Sequence, residues 1–97
     1  MLIVTGSVTA RPETFEALRR AAQDHVIRSR IEPGCLTHSL QIDCENPLRL
    51  VFYEEWVDRA PLDVHFARPG SGDFMRAVRE LAAASTRVRI VPVEDRA

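Results

Sequence analysis

The sequence predicts one α+β domain across residues 1–97, with a core over about 2–93: a four-stranded antiparallel sheet with two helices on one face. Two patterns carry this. Leu50 to Val57 alternates at period two, setting Leu50, Phe52, Glu54 and Trp56 on one side and Val51, Tyr53, Glu55 and Val57 on the other. Residues 12–31 change to helical spacing, and segments of the two kinds follow in the order strand, helix, strand, strand, helix, strand.

Each element has its own signal. Leu2 to Ala10 is rich in β-branched residues and reads as a strand, with Gly6 marking either a bulge, a close approach or a harmless small residue. From Pro12 to about Ile31, Phe15, Leu18, Ala22, His25 and Val26 form one stripe of an amphipathic helix, while Glu13, Glu16, Arg19, Arg20 and Gln23 face away. Acids open that helix, Arg28 and Arg30 close it as its dipole prefers, and Glu32-Pro33-Gly34 stops it. Cys35 to Cys44 alternates again, with Leu36, His38, Leu40, Ile42 and Cys44 on one face. A turn at Glu45-Asn46-Pro47-Leu48 then makes a hairpin with the 50–57 strand. Asp58 caps a short helix reaching about Arg68, Pro61 suits its first turn, Pro69-Gly70-Ser71-Gly72 breaks it, and Asp73 caps a second piece carrying Phe74, Val78 and Leu81. Thr86 to Val93 is the last strand and Glu94 onward a frayed tail. On one sheet this order is the ferredoxin-like βαββαβ arrangement. Because the 50–57 strand is apolar on both sides, the face without helices is expected to meet a second copy in a two-fold dimer.

Composition narrows the chemistry. With a net charge of −1 and signs interspersed, there is no electrostatic footprint for nucleic acid or an anionic membrane. All 13 basic residues are Arg, which excludes lysine Schiff bases. Cys35 and Cys44 lie roughly 30 Å apart along one strand and cannot bridge within it. Neither a leader nor an apolar run of membrane-spanning length is apparent, so a cytoplasmic protein is expected. Nucleotide, flavin and metal motifs are missing and no two of the three histidines have ligand spacing, so neither cofactor nor metal is expected.

Glu54, between Phe52 and Trp56, is the first functional candidate: a carboxylate there is costly unless it sits at a wet strand end, pairs with an Arg, or serves a site. A helix over the sheet would set His65 above this strand, where an imidazole can act as a base. Phe52, Trp56, Phe66 and Phe74 either pack the core or form flat walls for an aromatic ring, with the Trp56 indole N–H as a donor. His38, on the same strand face as Leu40, is either cavity-facing or a satisfied core histidine. His25 carries less weight, as a boundary residue of the helix stripe.

Glu32-Pro33-Gly34-Cys35-Leu36, Asp43 with Asn46-Pro47, Tyr53-Glu54-Glu55-Trp56, Leu62-Asp63-Val64-His65, and Pro69 followed by Phe74 together resemble the antibiotic-biosynthesis monooxygenase family. The resemblance runs from Leu2 to Val93 and implies a dimeric α/β-barrel. Family members include cofactor-free oxygenases of hydroquinones, anthrones and polycyclic phenols, haem degraders, and an isomerase of a phosphorylated sugar. Gly70 stands where many quinol-oxidising relatives have a second His, and His38 where relatives often have Tyr. The haem degraders' Asn, Trp and His fall on Gly6, His65 and Val78, so haem degradation is not expected. What the resemblance implies is a cofactor-independent monooxygenase joining dioxygen to a small phenolic or quinol substrate. His65, Glu54 and Trp56 would be catalytic, and Phe52, His38, Leu40, Phe66 and Phe74 would bind substrate. The alternatives are an isomerase working by proton transfer and a non-catalytic dimer that holds an aromatic metabolite.

Overall fold

A computed structural model describes residues 1–94. Strand β1 (Leu2–Ala10) leads through a 3-10 turn (Pro12–Thr14) into helix α1 (Phe15–Ser29). The hairpin β2 (Cys35–Asp43) and β3 (Asn46–Trp56) follows, then α2 (Arg59–Ala67), α3 (Pro69–Leu81), β4 (Ala82–Ser85) and β5 (Arg89–Pro92). The antiparallel sheet runs β2-β3-β1-β4, with β5 also on β1. β4 pairs with Val8–Ala10 and β5 with Leu2–Thr5, so the two share one edge of β1 as a fourth strand in two halves. The ferredoxin-like α+β prediction therefore holds, in a sheet that is open within one chain.

Three boundaries differ from the sequence reading. The last strand was expected over Thr86 to Val93, but pairing begins at Ala82 and is interrupted at residues 86–88. Thr86 bridges the gap: its Oγ1 accepts from the Ser7 backbone N–H at 2.8 Å, and its own N–H donates to Ser7 O. Pro69-Gly70-Ser71-Gly72 is the first turn of α3 and not a break. Only Arg68 is extended, as a residue before proline must be, and Pro69 then starts the helix where a missing donor costs nothing. Asp73 accordingly lies inside α3 and does not cap it. On β2 a bulge between Cys35 and Thr37 sets Cys35 opposite Trp56 and leaves Leu36 exposed, so the inward set begins with Cys35. The tail beyond Glu94 lies outside the described residues.

All helices cover one face of the sheet. Val8, Leu18, Ala22, Val26, Leu50, Phe52, Phe74 and Val78 form the main core, and Val4, Trp56 and Leu62 a second cluster. Leu18 and Leu50 are fully buried, each contributing about 1.5–3 kcal/mol of transfer free energy. The alternation in β3 is realised as expected on this side. On the other side Val51, Tyr53 and Glu55 are only half-buried in the single chain. Glu55 is satisfied there within the sheet, accepting from Thr37 Oγ1 at 2.6 Å and Tyr53 OH at 2.9 Å. Among the described residues no helix is long and apolar enough to cross a membrane.

Candidate functional site

The site grows from the register of β3. Glu54 pairs with Val4 on β1 and His38 on β2, so its side chain rises from the sheet centre toward the helices. Its Oε1 accepts from Trp56 Nε1 at 2.9 Å and lies 3.2 Å from His38 Nε2. Burial pushes the Glu54 carboxyl up, but the adjacent His38 and the Trp56 N–H outweigh it and hold the group below the usual glutamate range. Of the readings open from sequence, neither the wet strand end nor an Arg pair is realised; Glu54 is buried against an imidazole and an indole.

Two helices bring further imidazoles over it. α2 is set by the Asp58 carboxylate, which accepts from the Arg59 N–H, and by Gly34 and Pro61, which pack where the chain enters β2. Its last turn is fixed by the Ser71 hydroxyl, which donates to His65 O at 2.6 Å. His65 is thereby held beneath the helix with its ring 4.8 Å from the Trp56 ring. His65 Nδ1 lies 3.0 Å from Glu32 Oε1, and Arg68 Nε lies 3.1 Å from the same oxygen. A carboxylate accepts, so in the neutral ring Nδ1 carries the proton and Nε2 keeps its lone pair. His25 of α1 is buried, stacked on Phe74 with centroids 4.7 Å apart. Burial first, then the charges of His65 and His38, lower its pKa to about 4, so His25 is neutral at pH 7. Burial, with Glu54 and Glu32 nearby, pushes the Cys35 thiol up to about 11, which makes it a poor nucleophile.

A cavity of about 290 Å³ opens beside this group, with Phe52, Phe66, Phe74 and Val88 as apolar walls and the Glu54 carboxylate and the His65 imidazole among its polar lining. Of the residues singled out from sequence, His25, Phe52, Glu54, His65, Phe66 and Phe74 line it. Trp56 and His38 stand behind the lining, each within reach of Glu54. Leu40 lies elsewhere, in a groove with Arg19, Val26 and Leu50.

Sequence reasoning missed Glu32 and undervalued His25. In the sequence Glu32 reads as part of a helix stop and of the Glu32-Pro33-Gly34-Cys35-Leu36 motif, with no role of its own. The α1 stripe already carries His25, whereas Glu32 lies in the turn beyond the helix end at Ser29, where helical periodicity does not reach. No spacing along the chain signals that His25, His38 and His65 meet, because each comes from a different element.

The arrangement offers a base with an oriented lone pair, a buried carboxylate and flat apolar walls. The crystal structure of an antibiotic biosynthesis monooxygenase shares 29% identity at a TM-score of 0.87, covering 98% of this chain and 100% of that one. The Mycobacterium tuberculosis protein Rv0793 shares 26% identity at a TM-score of 0.89, covering 99% of this chain and 97% of its own. An uncharacterised Synechocystis protein is 29% identical over 94 residues, 97% of this chain. The chain spans 64% of the length of that curated relative. Since the family pattern described as antibiotic biosynthesis monooxygenase matches residues 1–77, most of the chain and with it Glu32, Glu54 and all three histidines, the chain belongs to the antibiotic biosynthesis monooxygenase family.

Proposed function

We propose that the chain is a cofactor-independent monooxygenase of a small phenolic or quinol substrate. The observation that carries this reading is His65 in the wall of an aromatic-lined cavity, with Nδ1 engaged by Glu32 and Nε2 left as a base. His65 takes the phenolic proton, and the resulting electron-rich phenolate reacts with dioxygen between the apolar walls of the pocket. For a hydroquinone the balance is quinol plus dioxygen giving hydroxyquinone plus water. One oxygen atom enters the ring, the other leaves as water, and the substrate supplies all four electrons. Glu54, held from behind by the Trp56 indole N–H, lies beneath the ring, and Phe52, Phe66 and Phe74 hold its faces. A second copy over the open sheet face completes the assembly as a dimeric barrel.

The test is dioxygen consumption by chelator-treated, colourless protein offered hydroquinones, anthrones and naphthols, wild type beside His65→Ala and the bulkier His65→Gln. Uptake by wild type alone is expected, with folded variants by circular dichroism. Turnover retained in both variants would remove His65 from the chemistry. Product formed without dioxygen would replace oxygenation by proton-transfer isomerisation. Thermal stabilisation by the same compounds without product, and unchanged on His65 substitution, would make the protein a binder.

A further inference from the structure

We infer that His25, His38 and His65 form a binding site for one divalent transition-metal ion of the zinc and cobalt class. The three rings come from α1, β2 and α2, yet one donor nitrogen of each lies within 4.8 Å of the other two. Their ring centres make a nearly equilateral triangle of 5.2, 5.5 and 5.6 Å. Imidazoles on one tetrahedral zinc, with bonds of about 2.0–2.1 Å, place their donor nitrogens about 3.3 Å apart and their ring centres about 5 Å apart. The rings already stand at that spacing. Small side-chain rotations, closing the donors by at most about 1.5 Å from the 4.8 Å span, bring the nitrogens to bonding distance.

Two further observations point to an ion. Both ring nitrogens of His38 are buried without a hydrogen-bond partner, although Glu54 Oε1 is 3.2 Å from Nε2. Such orphaned polar atoms are rare in a folded interior, and a metal bond satisfies one of them. Glu32 on Nδ1 of His65 is also the carboxylate–histidine arrangement that orients an imidazole toward a metal through its other nitrogen. Glu54 and Glu32, the latter shared with Arg68, set carboxylates beside a site that would hold a cation. An all-imidazole donor set favours zinc, cobalt, nickel or copper over magnesium or calcium. His25 and His65 also line the cavity, which gives the ion an entry path and leaves a fourth position open to solvent or ligand. An ion on Nε2 of His65 occupies the lone pair that would take the substrate's proton, so loading and base catalysis exclude each other.

The test needs no substrate, so it stands apart from the oxidation proposed above. Chelator-stripped full-length Cys44→Ser protein, which lacks the exposed thiol, is titrated with cobalt(II). One equivalent should produce the intense visible bands of low-coordinate cobalt, and zinc(II) should displace them and raise Tm. His25→Gln and His38→Gln should abolish the bands, while Glu32→Gln should keep them with affinity about 10–100-fold weaker. In the wild type, ring nitrogen NMR signals of all three histidines should shift on one equivalent of zinc, which tests the site without any variant. Absence of bands together with absence of histidine shifts would overturn the inference, as would bands that persist unchanged in His25→Gln and His38→Gln.

Discussion

Gly34→Ala tests whether the turn before β2 sets the height of α2, and with it the position of His65. Gly34 has φ +86°, and a β-carbon added there would stand 2.5 Å from Pro61 Cβ, 2.6 Å from Pro61 Cγ and 3.1 Å from Val57 Cγ1. The backbone cannot swing away easily, because Gly34 O accepts from the Val57 N–H at 2.9 Å. A left-handed alanine costs about 1–2 kcal/mol, and overpacking against a rigid proline ring about 1–3 kcal/mol more, so a loss of about 2–5 kcal/mol is expected. Relief requires Pro61 to retreat by about 1 Å from its 2.5 Å contact, carrying His65 one turn further along α2 away from its 3.0 Å contact with Glu32. The assay is urea unfolding at fixed protein concentration, reading the midpoint at an unchanged m-value. Gly72→Ala is the internal control: nothing lies within 4 Å of its added β-carbon, and in α3 it should gain about 0.5–1 kcal/mol. A loss below about 1 kcal/mol in Gly34→Ala, or equal effects in the two variants, would refute the idea that this contact positions α2.

Three other outcomes are expected. His25 is faced by His65, His38, Glu54 and Arg28, and its pKa falls from the ordinary 6.5 to about 4. A depressed histidine leaves the unfolded chain binding more protons, so stability should decline as pH drops from 6.5 toward 4, by about 3 kcal/mol at about 1.4 kcal/mol per unit. In chelator, His25→Leu should flatten that decline, and urea midpoints that fall in parallel for both proteins would contradict it. Leu18→Ala, at a fully buried position of α1, should lose about 2.7–5 kcal/mol by the same assay; a loss under 1 kcal/mol would mean the site collapses without a cavity. Sedimentation should find the wild type as a dimer and Val51→Asp, on the open face, as a monomer, and a monomeric wild type would remove the second copy from the proposed assembly.

What could be read from sequence, and what could not, divides at the boundary between one element and the next. The alternation of 50–57 placed Leu50, Phe52, Glu54 and Trp56 together because period two is a property of a single strand. The α1 stripe reached Leu18, Ala22 and Val26 for the same reason at period 3.6. Which residues of different elements meet depends instead on register and on caps. The bulge between Cys35 and Thr37 exchanged Leu36 for Cys35 on the inner face, while the register beyond it kept His38 opposite Glu54. A one-residue slip there would have turned His38 outward and left Glu54 facing Thr37 or Ser39. The same holds at Pro69. Read as a break, it separated His65 from the residues after it; as the first residue of α3, it brings Ser71 back to hold the His65 carbonyl. His25, His38 and His65 converge only because the hairpin register, the Arg68 corner and the α1 stripe each fall as they do. Their convergence is therefore the feature of this site that chain spacing was least able to foretell, and the one most sensitive to a change in any of the three.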